Sequence, residues 1–504
     1  MKSPRALLVL VALLVCAAPA AAQTGVTVKP SANAPENARK LGPLCRADTP
    51  SFRLWWSDTP GAPGAVGGSD GNCATLPVVV SELALTAETA RLRAAGLGFG
   101  AMVGDGPPTF LRNPGLLRTL GRLGPASRGR ALGGIARSAR GSFLAGLTKK
   151  QRTRVLRGLP KRLKTRVLAD VGRAQRGRPS DFVGGDRRVD IVIDATGATG
   201  QVQAQQTGLS PCRARVSGRT RTFVSSWAIV LAPPADPSPR SVLAHELFHV
   251  AQCNLGSGSG TPILVREGTA EWFAAVAEPA GYPGVVGPTG SVSNGNARAV
   301  SFCRNFDPAG PGTSPYLSWA VWEALDAGTA PSTTVRPVIA GFPGTAPVEP
   351  DAAAVIAKVG AARWAEGLRA AARAVCGTQR SPSGAVTFAP DIRGFIGGGV
   401  TPASVGAPAV VNVPAGGVSS VGAVWSGSAP SVTLTLSTPQ APAEALLPSV
   451  VVTTRAGLLT PVIRNGAVVV DIPAASRPER VAPVTIANPA LAGPVAVTVT
   501  VTTP

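Results

Sequence analysis

The sequence predicts an α+β protein followed by a C-terminal β-sandwich, and three patterns carry that prediction. Apolar residues recur at helical spacing through residues 77–96, through a leucine-rich basic stretch, and on either side of residue 260. Short β-branched or aromatic runs stand among them at 51–56, 188–194 and 222–231. From about residue 400 charged residues nearly vanish, and β-branched runs follow one another between Pro/Gly turns. At 504 residues, 44% of them hydrophobic, the chain is long enough for two or three domains and a sizeable core. Its 59 glycines and 48 prolines follow no fixed period, which excludes a collagen-like rod.

In chain order, residues 1–22 read as an export signal: Lys2 and Arg5, an apolar run from Ala6 to Val15, then small residues up to a cut after Ala22. That run is short for a membrane span, and no later segment has the length and apolarity of one. Cys16 sits in Leu14-Val15-Cys16-Ala17, a poor fit to a lipoprotein box, so a cleaved signal is expected rather than a lipid anchor. The expected location is secreted, or associated with the cell envelope from outside. Six cysteines remain beyond the signal, and an even number outside the cytoplasm favours disulfides. Fifteen pairings are possible; pairing of neighbours in order gives Cys45–Cys73, Cys212–Cys253 and Cys303–Cys376. No CxxC spacing occurs, so a cysteine zinc site is not expected.

A leader over 23–45 precedes a main domain at 46–390, into which a basic helical insertion enters at about 103–184. Residues 51–56 form a strand. Residues 77–96 form a helix with Val80, Leu83, Ala87, Ala90 and Leu97 near one face and Pro77 in its first turn. Residues 188–194 alternate as a half-buried strand does, and 222–231 make another strand. Prolines 233, 234, 237 and 239 mark a loop in which Asp236 or Ser238 can cap the next helix, which runs to about Gln252. A Gly/Ser loop at 256–260 ends it, and Thr261-Pro262 starts a helix to about Ala277. Further helices are expected near 315–327 and 351–376. Strands are expected at 409–413, 419–425, 431–437, 449–454, 467–472 and 495–503, in an accessory β-sandwich over 400–504 without a titratable cluster.

Charge is unevenly placed. Residues 91–178 hold 21 Lys or Arg against Asp105 and Asp170, a net of +19 within a chain total of +22. Leucines at helical spacing run through this segment, Thr-Arg-Val-Leu occurs at 153–156 and again at 165–168, and Pro160 separates two short helices. One reading is a docking surface for anionic polymers or lipids of the cell envelope; the other is the solvated face of an ordinary helical insertion. Nucleic acid is not expected, since Phe110 and Phe143 are too few aromatics for base stacking.

The chain has two histidines, both in His245-Glu246-Leu247-Phe248-His249. Four residues apart on a helix, they share a face and can reach one ion. Leu243, Leu247, Phe248 and Val250 can anchor that helix in the core. Glu246 is placed to reach a metal-bound water as a general base, and zinc would bring that water's pKa to about 7. A catalytic site needs a third protein ligand and one open position. Glu267 stands 18 residues after His249 in Arg266-Glu267-Gly268-Thr269-Ala270-Glu271-Trp272, with Gly268 leaving room for close packing. Glu271, one turn on, can hydrogen-bond a ligand histidine from behind. The reverse assignment, with Glu271 on zinc and Glu267 behind, stays open.

His-Glu-x-x-His followed by Glu-Gly-x-Ala-Glu-Trp resembles the gluzincin metallopeptidases, tightly over about residues 241–275 and loosely from 51 to 327. The resemblance implies a zincin-like domain, a Zn2+ cofactor, His245, His249 and Glu267 as ligands, and hydrolysis of protein or peptide substrates. The metzincin pattern does not fit, since Gln252 and Leu255 stand where it has glycine and histidine. Gluzincins commonly stabilise the oxyanion with a downstream Tyr or His; here that role falls to Tyr316, in Pro315-Tyr316-Leu317-Ser318-Trp319-Ala320. The strand at 222–231 is a candidate edge for substrate to join as an extra strand. The competing reading is a non-catalytic envelope-binding protein on an inactive zincin scaffold.

Overall fold

A computed structural model describes residues 22–23, 44–57, 59, 73, 75–100, 102, 113–135, 137–176, 188–193, 204–208, 227–231, 239–257, 260–279, 294–310, 314–326, 331–342, 351–384, 386 and most of 402–503. The apolar run of the expected export signal, the helix-capping residues Asp236 and Ser238, and the expected Cys212–Cys253 pair lie outside the described residues. The protein is of mixed helix and sheet, and the chain divides into two compact units. One comprises Met1–Glu88, Met102–Cys212 and Val216–Pro233; the other comprises Thr89–Ala101, Arg213–Arg215 and Pro234–Pro504.

The first unit contains a six-stranded sheet: β1 (Ala22–Gln23), β2 (Cys45–Asp48), β3 (Phe52–Trp56), β4 (Val189–Ile193), β5 (Ala204–Gly208) and β6 (Trp227–Leu231). Its order is β1-β2-β3-β4-β6-β5, with β3–β4 and β4–β6 parallel and the other pairs antiparallel. β6 therefore lies between β4 and β5, and the expectation of a substrate-accepting edge at 222–231 is corrected: β5 takes that edge. Every residue of β3 and β4 is buried, so these strands are covered on both faces, as parallel strands are. Asp190, which the alternating pattern of 188–194 would put in water, is buried and accepts a hydrogen bond from Trp55 Nε1 at 2.8 Å. Cys45 and Cys73 form the first disulfide, tying β2 to the segment before helix α1 (Val78–Gly96).

Among its described residues the basic segment makes five helices: α2 (Pro114–Arg122), α3 (Pro125–Gly134), α4 (Arg137–Ala145), α5 (Lys149–Leu156) and α6 (Lys161–Arg176). Pro160 does separate the last two. Leu120, Leu132, Phe143, Leu144, Val155 and Val167 are among the residues of a core the bundle owns. Prolines begin α2 and α3, where a missing N–H costs nothing. Three arginines serve the bundle structurally. Arg140 donates to Asp170 at 2.9 Å in a buried pair, Arg152 donates to the Leu147 carbonyl, and Arg128 donates to the carbonyls of Arg154, Val155 and Arg157 at the end of α5.

The second unit holds α7 (Pro239–Asn254) and α8 (Ile263–Ala277), then α9 (Asn294–Asn305), α10 (Ser314–Leu317), α11 (Trp319–Asp326), α12 (Val335–Gly341), α13 (Ala352–Val359) and α14 (Ala361–Ala371), the last running into a π-helical turn at Ala372–Thr378. Its C-terminal strands, beginning with β7 (Ala403–Ser404), form two five-stranded sheets around one core that includes Leu434, Val452, Val484 and Val499. β8 (Ala409–Val413) and β10 (Thr433–Ser437) alternate buried and open, as strands with one face on a core do. β9 (Val418–Val424) and β11 (Val450–Thr454) are covered on both faces. Helical residues supply the second cover: Ser420 Oγ donates to the Cys303 carbonyl at 2.6 Å, Thr453 Oγ1 to the Cys376 carbonyl at 3.1 Å, and Phe306 bridges to Val418. Cys303 and Cys376 themselves form a disulfide. No described helix is long and apolar enough to cross a membrane.

Candidate metal centre

α7 is built to hold one face in the core and turn the other toward α8. Leu243, Ala244, Leu247, Phe248, Val250 and Ala251 are fully buried, and Phe248 stacks on Phe273 of α8 with centroids 4.5 Å apart. Phe99 and Trp272 close around Phe248 edge-on. With this stripe fixed, the histidines at i and i+4 must emerge together; their rings lie 4.9 Å apart at nearly right angles. His245, Glu246 and His249 form a group whose donor atoms lie within 4.8 Å of one another and could hold a metal ion.

α8 approaches closely because Gly268 has no side chain. A Cβ there would lie 2.0 Å from Ser318 Oγ and 2.9 Å from the Pro315 carbonyl. The space is taken by the turn that links α10 to α11, where Ser318 Oγ donates to the Pro315 carbonyl at 2.6 Å and Trp322 Nε1 donates to the Leu264 carbonyl at 3.2 Å. Thr261 does not cap α8; its hydroxyl donates to the Phe342 carbonyl, and Pro262 occupies the capping position.

Glu267 and Glu271 project from α8 onto the histidines at different atoms. Glu271 Oε2 lies 2.9 Å from His245 Nδ1. Glu267 Oε2 lies 3.3 Å from His245 Nε2 and 3.5 Å from His249 Nε2, while its Oε1 accepts from Arg266 Nε at 2.9 Å. Burial alone would raise the Glu267 pKa, but hydrogen bonding to His245 and His249 and their charge outweigh it and hold the carboxyl far below the ordinary range. Glu246, one residue from His245 and partly exposed, is moved the other way: burial raises its pKa, Glu267 adds to that, and the histidines oppose it. Tyr316 lays its ring parallel to His245 at 5.9 Å.

In the sequence Gln252 serves only to set the metzincin pattern aside. In the structure Gln252 is buried, and its Oε1 lies 2.7 Å from His249 Nδ1. Its amide nitrogen donates to the Arg266 carbonyl and to Thr269 Oγ1, each at 2.7 Å, and the Thr269 hydroxyl is itself committed to the Val265 carbonyl at 2.6 Å. A carbonyl can only accept, so the amide orientation is settled and Oε1 must face the ring. In a neutral ring His249 Nδ1 then carries the proton, as His245 Nδ1 does against Glu271, and Nε2 keeps the lone pair a metal ion would need; in a charged ring Nε2 carries a proton as well and donates to Glu267. The available signal was spacing: residue 252 is three after His249, on the same helix face.

His245 Nε2 and His249 Nε2 thus both lie within 3.5 Å of Glu267 Oε2. With both rings neutral these are three acceptors in a largely buried place, which a metal ion or a shared proton would join. Imidazole and carboxylate donors of this kind suit several first-row divalent metal ions. No known protein family, curated protein or solved structure matches the chain.

Proposed function

We propose that this chain is an exported zinc-dependent peptidase of gluzincin type, hydrolysing peptide bonds on a zincin-like scaffold. The observation that carries the reading is the convergence of His245 Nε2, His249 Nε2 and Glu267 Oε2 while both Nδ1 atoms are held from behind. In this reading those three atoms hold the ion, and Glu271 is a supporting partner of His245 rather than a ligand. A bound zinc ion lowers the pKa of a coordinated water to about 7 and polarises a carbonyl oxygen. Glu246 takes the proton from the attacking water and delivers it to the leaving amine; burial raises its pKa, which favours its holding the proton between the two transfers. Tyr316, beside His245, is the group offered to the developing oxyanion. The two disulfides fit a protein that has left the cytoplasm.

Casein or peptide hydrolysis, measured together with zinc content, tests the reading. A chelator should abolish turnover and zinc should restore it. Glu246→Gln should retain zinc and lose at least a hundredfold in kcat. A metal-free protein under zinc-replete conditions removes the proposal, and full activity of the Glu246→Gln protein removes the assigned base.

A further inference from the structure

The helical bundle of residues 113–172 has a surface of one sign. Twelve of its cations are exposed: Arg118, Arg122, Arg130, Arg137, Lys149, Lys150, Arg154, Arg157, Lys161, Arg162, Lys164 and Arg166. The only acidic residue in this stretch, Asp170, is buried against Arg140, so none of its charge offsets that surface. The arrangement is repeated. Lys149-Lys150-Gln151-Arg152-Thr153-Arg154-Val155-Leu156 and, twelve residues on, Lys161-Arg162-Leu163-Lys164-Thr165-Arg166-Val167-Leu168 place cations at the same four positions of α5 and α6. Val155 and Val167 point into the core and the cations of Arg154 and Arg166 face water.

Local stability opposes this design. Lys149 and Lys150 open α5, and Lys161 and Arg162 open α6, at the positive ends of the helix dipoles, with no acid in either first turn. Lys150 with Arg154 and Arg162 with Arg166 are like-charge pairs four residues apart, each unfavourable for a helix. A fold that keeps such a pattern twice, outside its core, has the charge for something other than its own stability.

We infer that this face binds a linear, flexible polyanion carrying phosphate or carboxylate groups along its length, such as an anionic polymer outside the cell. Among exposed large apolar side chains the bundle offers only Leu168, too little to enter a bilayer. Its one described aromatic, Phe143, is buried, so bases have nothing to stack on. The inference does not depend on the peptidase reading.

The test measures binding of the full-length protein to long-chain inorganic polyphosphate and to polyglutamate across a salt series. Anionic phospholipid vesicles and duplex DNA of equal charge density serve as comparisons. The wild type should bind both polymers at 0.15 M salt and the vesicles and duplex at least tenfold more weakly. K150Q/R154Q/R162Q/R166Q should lose at least tenfold in polyphosphate affinity and reduce the log–log salt slope by about 2 to 3, at roughly 0.7 per charge neutralised. Its melting temperature should stay level or rise, because like-charge pairs have been removed. The control R336Q/K358Q/R363Q/R373Q removes the same charge from exposed positions in the other unit and should lose less than twofold. Equal losses in the two variants, absence of polymer binding by the wild type, or equal or tighter binding to vesicles or duplex would each overturn the inference.

Discussion

Gln252 shows how much of the candidate metal centre rests on one neutral side chain. It fixes the tautomer of His249 and at the same time ties α7 to α8 through the Arg266 carbonyl and Thr269. Replacing it with leucine keeps most of the volume but removes the acceptor from Nδ1 and leaves the Arg266 carbonyl one donor short. Partners that hold a ligand from behind typically change metal affinity about 10–100-fold. Gln252→Leu should therefore weaken zinc binding by that factor in competition with a chelator of known affinity, while Gln252→Glu, which keeps an acceptor, should lose less. Unchanged affinity in the leucine variant would show that His249 needs no such partner. At this scale the sequence disclosed the residue types and hid the pairings. His-Glu-x-x-His and the glutamates behind it are readable as spacing, but which glutamate faces Nε2 and which faces Nδ1 depends on how closely the helices approach. The opposite side of α8 is seated just as closely, with Gly268 against Ser318 and Pro315, a contact between residues some fifty positions apart.

Within the basic bundle, beside its hydrophobic core, one buried ion pair links three helices. Arg140 donates to Asp170 and to the Leu132 carbonyl, joining α4 to α6 and to the end of α3. Asp170→Ala would leave the guanidinium buried without a counter-charge, a change that costs about 3–5 kcal/mol. Amide hydrogen exchange should show residues 113–172 losing protection while α7 and α8 keep theirs; unchanged protection in the bundle would mean that the arginine finds water or another acceptor. An Arg140→Met/Asp170→Leu pair, which removes both charges, should restore much of the loss. Element positions were largely legible: strands predicted at 409–413, 431–437 and 467–472 fall within a residue or two of those found. Periodicity did not reveal the division of the basic stretch into five helices. It does not report where a short helix stops to let the next one pack, and here the stops are set by Pro125, Thr148 and Pro160 acting with tertiary contacts.

In the molecule as a whole, the C-terminal sheets of the second unit are continuous with the helices that precede them. Strand β9 pairs by bridges with Asn305 and Phe306, Trp364 Nε1 donates to the Gly416 carbonyl, and Leu458 and Val451 close on Gly377. The Cys303–Cys376 disulfide joins the two helical stretches whose carbonyls receive Ser420 and Thr453, so it braces the helical platform under the sheet. Its ends are 73 residues apart, and closing a loop of that length restricts the unfolded chain by about 4 kcal/mol on the chain-entropy account. In a unit of this size each kcal/mol moves the midpoint by roughly 2–4 °C. A Cys303→Ser/Cys376→Ser protein should melt about ten degrees lower in calorimetry. If the sheets and helices are one cooperative structure, the endotherm of this unit should stay single, with β-strand and α-helix circular-dichroism signals lost together. A separate transition for residues 402–503, or an unchanged midpoint, would show that the sheets fold by themselves and that the contacts at Cys303 and Cys376 only dock a finished module.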